Sequence, residues 1–336
     1  MNGEDGKTLV DNGPQVQSLF SGQEVRNCRI RRQDLSDLSL GGTHFHETDF
    51  QEVGLAGAVM GNCRLSGCSL AGAAMRGAKL SGAWLEHVEF RSCDAVEANV
   101  GQGTLVDVTF IETPLGNAIF QGAELVDCLF DASDLYAARF QDSVVVRTRF
   151  ENRRLGNSVL SRADFSGAVI LEADFRNADL ADVSFRGALV VRTSFKDANL
   201  TGADFTDAVL VSSDFTGVNA DDETRAALMR GSVRPGDAGT RVLDCLKGRD
   251  QGLVPVVHAL LTGYVLVDAA APVAVDRDPE PEPSAPDEPP ASQPALETSD
   301  THEEAPEAAA ADNGGKSKVA RESKEVYERF KKIELD

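Results

Sequence analysis

From Phe20 to Phe215 every fifth residue of this chain is apolar, and the series meets no exception. It opens Phe20, Val25, Ile30, Leu35, Leu40, Phe45 and closes Val190, Phe195, Leu200, Phe205, Leu210, Phe215. A helix repeats its apolar face every 3.6 residues and a strand every 2.0, so neither produces a spacing of five. A fixed period held this long is the mark of a repeat architecture. Two residues before most of these positions stands a small side chain, as at Ala58, Ala73, Ala118, Ala163, Ala188 and Ala203. Between the two, Asp or Asn recurs, as at Asp164, Asp174, Asp179, Asn199, Asp204 and Asp214. One large and one small inward side chain per unit suits one side of a four-sided coil. About four units then close a turn of roughly 20 residues, and turns stack by parallel ladders ~4.8 Å apart. Residues 20–215 would form roughly ten turns, a rod of about 50 Å.

Ala163-Asp164-Phe165-Ser166-Gly167 and Ala203-Asp204-Phe205-Thr206-Asp207 resemble the A-(D/N)-(L/F)-X-X unit of the pentapeptide-repeat family. The resemblance covers about two thirds of the chain. It implies an all-β solenoid, a right-handed quadrilateral β-helix; the hand comes from the resemblance and not from the spacing. Some members of that family are acidic dimeric β-helices that occupy the DNA-binding saddle of DNA gyrase and protect it from quinolones, so the resemblance also admits a DNA-mimic role.

The formal net charge of −21 argues against direct binding to nucleic acid or an anionic membrane, both of which call for basic patches. No apolar run is long enough to insert in a membrane. The opening Met1-Asn2-Gly3-Glu4-Asp5 lacks the basic and apolar parts of a signal peptide, so a cytoplasmic protein is expected. Cys28, Cys63, Cys68, Cys93 and Cys128 all fall in the small inward slot, where they read as small buried hydrophobes. His44 and His46 flank the inward Phe45 and point outward; without further ligands at fixed spacing they make no metal site. No nucleophile–base order, phosphate loop or cofactor motif is present, so neither an enzyme nor a cofactor is expected. Gly315-Lys316-Ser317 lacks the first glycine and the preceding strand of a phosphate loop.

In chain order, residues 1–14 read as a loose N-terminus and 15–220 as the β-helix. Gln23, Gln33 and Leu38 make its first turns imperfect. Trp84 shares an outward column with His44 and Arg64, a candidate contact site, since Trp and Arg are enriched in binding hot spots. Arg153 falls in a small inward slot, with Arg154 beside it, and the ten-residue Phe rhythm slips from Phe150 to Phe165. A buried charge there would be costly. A bulge, loop or change of axis is expected near residues 151–160, able to divide the rod into two stacked segments. Beyond it Val169, Leu171, Leu189, Val191, Val209 and Val211 form an exposed apolar stripe at 20-residue spacing. Such a stripe calls for a cover, either the chain's next segment or a second subunit in a homodimer.

Residues 221–271 read as a mainly helical capping or dimerising segment. Asp221 or Asp222 caps a helix over 223–230, and 241–247 and 253–261 supply further helical pieces. Residues 272–315 read as a disordered acidic, Pro-rich linker; Pro272 to Asp312 carries twelve carboxylates against one Arg. Residues 316–336 form an amphipathic docking helix with Val319, Val326, Phe330 and Ile333 on one face. These features favour a non-catalytic protein–protein interaction scaffold with a tethered docking helix. The alternative is the acidic DNA mimic that competes for a topoisomerase.

Overall fold

The computed structural model describes residues 7–11, 24–151, 159–233 and Leu246. Over these residues the five-residue rhythm becomes a parallel β-solenoid of about ten turns. Each unit is a short rung whose central side chain points inward and whose two neighbours point out, as extended backbone requires. On the first side Val25, Phe45, Leu65, Leu85, Leu105 and Leu125 stand over one another. On the second, Ile30, Phe50, Leu70, Phe90, Phe110, Phe130 and Phe150 do the same. The third and fourth sides are joined by single bridges, such as Asp34↔Gly54 and Ser39↔Val59.

Corners explain the composition of the outward positions. Two residues after an inward residue the backbone turns left-handed, as at Asn27, Asp37, Asn62 and Asn117, with φ between 51° and 56°. Asn, Asp and Gly reach that region at least cost. At Gly57 even a Cβ would run into the Asp37 carboxylate. The small slots are closed equally tightly, with Ala58, Ala78, Ala118 and Ala188 fully buried. Where Thr or Ser replaces Ala, the hydroxyl reaches back to the preceding turn. Thr113 Oγ1 donates to the Phe90 carbonyl and Ser133 Oγ to that of Phe110, both at 3.2 Å.

Phenyl rings fill much of the axis. Phe110, Phe130, Phe150, Phe175, Phe195 and Phe215 stack on the second side with centroids 4.6–5.2 Å apart. Phe120, Phe140, Phe165, Phe185 and Phe205 stack on the fourth, and the two columns meet edge to face. Such pairs add roughly 0.5–1.5 kcal/mol each beyond burial.

The irregularity expected near residue 155 is an insertion. Before it rungs pair 20 residues apart, as in Ile119↔Arg139; across it they pair 25 apart, as in Asp134↔Val159, Arg139↔Asp164 and Val144↔Val169. Val159↔Asp179 restores the 20-residue step. One repeat's worth of chain between Glu151 and Val159 therefore lies off the ladder. Arg153 and Arg154 fall in that stretch, outside the described residues. The rod is not divided there: Phe140 stacks on Phe165 and Phe150 on Phe175, each with centroids 4.6 Å apart. Building the extra five residues in as a side would have turned every later Phe off its column.

The ends depart from expectation once. After β1 (Thr8–Asp11) comes β2 (Glu24–Arg26) on the first side, and within the N-terminal segment read as loose β1 pairs in parallel with β3 (Cys28–Arg31), one turn before it. Val10 stands over Ile30, 20 residues away, so the ladder begins before Phe20. Lys7 and Arg29 both pin Asp49, at 2.7 and 3.1 Å. At the other end α1 (Asp222–Gly231) closes the rod. Asp221 is its N-cap: Oδ1 accepts from Thr224 N at 2.8 Å, and Oδ2 accepts from Gly202 N at 2.7 Å. One carboxylate thereby satisfies the helix start and ties it to the last turn. Ala227 and Leu228 join the core, and Ser232–Val233 return the chain to the first side beside Leu210–Val211. The segments expected beyond Val233, including the linker and the docking helix, lie outside the described residues except for Leu246.

Candidate interaction surface

The first side carries both surface features singled out in the sequence, at opposite ends of one pair of outward columns. His44, Arg64 and Trp84 occupy the same position on three successive rungs, followed by Thr104, Glu124 and Val144. The Arg64 guanidinium lies 5.0 Å from the centroid of the half-buried Trp84 ring. Glu86, the outward residue next to Trp84's rung centre, accepts from Trp84 Nε1 at 3.3 Å and lies 3.6 Å from Arg64 Nη2. A cation–π pair that shares a carboxylate holds both side chains in one arrangement, with little rotamer freedom left to either.

Further along, the polar columns turn apolar. Val169, Leu171, Leu189, Val191, Val209 and Val211 are at most 3 % exposed, so the stripe expected on the surface is buried. It also begins earlier than expected, with Val126, Val144 and Val146, each at most 9 % exposed. Counting columns at a constant 20 residues misses Val144 and Val146, because the insertion sets them 25 residues before Val169 and Leu171. These values hold for a single chain, so the burial requires no second subunit.

Elsewhere several outward arginines pair with carboxylates of the neighbouring turn. Arg29–Asp49, Arg32–Glu52, Arg147–Asp127, Arg192–Glu172 and Arg162–Asp182 approach within 2.6–3.7 Å. Exposed pairs of this kind add little stability, but they interrupt any continuous acidic surface. His46 lies 3.7 Å from Glu47, and His87 Nδ1 is 2.8 Å from Asp107. Among the described residues no cluster of three His, Cys, Asp or Glu could hold a metal ion. No helix among them is long and apolar enough to cross a membrane.

The described cysteines are free thiols. Cys63 Sγ donates to the Leu40 carbonyl at 2.9 Å, and Cys93 and Cys128 point their thiols at the turn before in the same way. Burial pushes the Cys63 and Cys68 thiols up to about 11 and that of Cys128 to about 12. A raised folded value means their stabilising contribution is whole below the ordinary thiol pKa of 9.0. It is lost as pH climbs from there through about 11 to 12. Among these thiols only the half-exposed Cys28 is expected to react with an alkylating agent at pH 8. Mass mapping that found Cys63 or Cys128 modified at a matching rate in the folded chain would contradict the burial.

The pentapeptide-repeat family model matches this chain in 8 copies, including residues 28–67, 54–91, 146–180 and 178–217. This chain belongs to the pentapeptide-repeat family. Similar solved structures include HetL, a pentapeptide repeat protein involved in heterocyst differentiation regulation in the cyanobacterium Nostoc. It is 18 % identical, with a TM-score of 0.27, over 68 % of this chain and 99 % of HetL. Full-length QnrB1, a plasmid-mediated fluoroquinolone resistance protein, is 18 % identical with a TM-score of 0.29, over 66 % of this chain and 93 % of its own. A pentapeptide repeat protein of the Arabidopsis thaliana thylakoid lumen is 24 % identical with a TM-score of 0.21, over 39 % and 74 %. No curated protein matches this pentapeptide-repeat chain by sequence.

Proposed function

We propose that this pentapeptide-repeat protein is a non-catalytic scaffold that binds proteins through the outside of its solenoid and through its C-terminal segment. The observation that carries this reading is the filled axis. Among the described residues the inward side chains from Ile30 to Leu210 are almost wholly buried against one another, so the chemistry open to a partner lies on the surface. The Trp84–Arg64–Glu86 group, with His44 one turn before, is the pre-ordered contact. Residues 316–336, with Val319, Val326, Phe330 and Ile333 on one face, supply a second contact on a long acidic tether. The protein acts in the cytoplasm in this reading.

The DNA-mimic alternative draws on the net charge of −21. Of that, Pro272–Asp312 supplies −11 and Lys316–Asp336 supplies +2, which leaves −12 for residues 1–271. The turn-to-turn arginine–carboxylate pairs then break up the acidic surface a duplex mimic needs. Full-length chain, its Phe330→Asp variant and its Trp84→Ala variant, immobilised in parallel, separate the readings. The scaffold reading expects captured protein to fall at least tenfold with Phe330→Asp and severalfold with Trp84→Ala. Undiminished capture by both would refute it, and salt-sensitive inhibition of gyrase supercoiling by the full chain would install the mimic instead.

A further inference from the structure

We propose that residues 241–261 of the same chain dock along the apolar half of the first side, from the end of the rod back to the turn of Val126. That half consists of Val126, Val144, Val146 and the six-residue stripe, none of it charged, and a lone chain buries all of it. The described chain leaves at the right place. α1 packs against Val209–Val211, and Ser232–Val233 pair with Leu210–Val211, which sets Val233 at the foot of this side. Leu246, thirteen residues further on, is 4 % exposed and so is itself packed away from water.

Length and composition fit the same occupant. From the rung of Leu210 back to that of Leu125 there are four ladder steps, about 19 Å. A helix covers that distance in about 13 residues. Leu253, Val254, Val256, Val257, Ala259, Leu260 and Leu261 make seven of nine residues apolar over 253–261. Val242, Leu243 and Leu246 precede them at helical spacing. The acidic stretch from Pro272 to Asp312 has no comparable apolar run. The first side is then shared: its apolar half is taken by the chain itself, and its Trp84 half is left for a partner.

Full-length Leu246→Asp, Leu260→Asp and Val191→Asp chains, with the Leu246→Asp/Val191→Asp double, test this. The Leu246→Asp and Leu260→Asp changes leave every described ladder residue as it is, so these variants are expected to keep the far-ultraviolet β signal. They should bind an apolar dye severalfold more and melt about 5–10 °C lower. The double variant should melt scarcely lower than the worse single, because either change breaks one shared contact. Midpoints should not depend on protein concentration. Additive shifts, or Leu246→Asp and Leu260→Asp both indistinguishable from the parent, would overturn the proposal. A concentration-dependent midpoint with a dimeric mass would assign the cover to a second copy and overturn it equally.

Discussion

Replacing Phe150 by alanine is expected to lower the stability of this chain by about 3–5 kcal/mol, read as a drop in the urea midpoint at unchanged slope. The ring is 1 % exposed and lies between Phe130 and Phe175, with centroids 5.0 and 4.6 Å away. It also meets Phe140 and Phe165 edge on, each at 6.1 Å. Its removal leaves a cavity that the parallel ladders cannot collapse, because the rung spacing is fixed by backbone hydrogen bonds. Val59→Ala, at an outward position 38 % exposed, should move stability by about 0.5 kcal/mol or less. The position of Phe150 adds a second reading. It is the last inward residue before the insertion, and its stack on Phe175 crosses it. Loss of the ring should therefore lower one common transition. Two separated transitions in the variant would mean that the rod is mechanically divided where its phenyl columns say it is continuous.

The fold was legible in the sequence because a single number, five, fixes which side chains point inward, and that number survives over the whole rod. The capping carboxylate was legible for a local reason: Asp221 followed three residues later by a backbone donor before an apolar run is a helix start that needs no tertiary knowledge. The insertion was half legible. It is one repeat long, so the fifth-residue series passes through it unbroken, and only the slipped Phe alternation and the misplaced Arg153 betray it. What the series could not tell is whether the extra unit is wound in or left off the ladder. That choice is made by distant residues, since only the off-ladder path keeps Phe165 over Phe140 and Val169 over Val144. The apolar stripe shows the same limit. Outward direction was read correctly from the alternation within Val209, Leu210 and Val211, but outward from the axis is not the same as exposed to water. At the N-terminus, Gln15 breaks the apolar series, and Val10 was lost with it although it stands 20 residues before Ile30.

Deleting Gly187 is expected to cost more than deleting the five residues Arg153–Asn157. The smaller deletion falls at a left-handed corner, φ 61°, in the most regular part of the rod. With one residue fewer, the following inward slots pass to Val191, Lys196, Thr201, Thr206 and Val211. Phe195, Phe205 and Phe215 are then turned outward and a lysine is turned into the core. Three phenyl rings at roughly 2 kcal/mol each set the scale, before any penalty for Lys196. No local adjustment avoids it, because Ala188 would have to take the corner and Leu189 the small slot that alanine fills one turn before and after, at Ala168 and Ala208. The turns beyond Phe185 should therefore lose their ladder, seen as a fall in β signal and a loss of cooperativity. The larger deletion instead leaves Asn152 and Ser158 between Glu151 and Val159. That is the count and the residue pattern of Ala132 and Ser133 between Asp131 and Asp134 one turn earlier. It brings the spacing across this point back from 25 to 20 residues, and shortening a connection by five residues changes its closure entropy by less than about 1 kcal/mol. If the Gly187 deletion proved the milder of the two, the inward slots would not be tied to sequence position, and register would not be what holds this rod together.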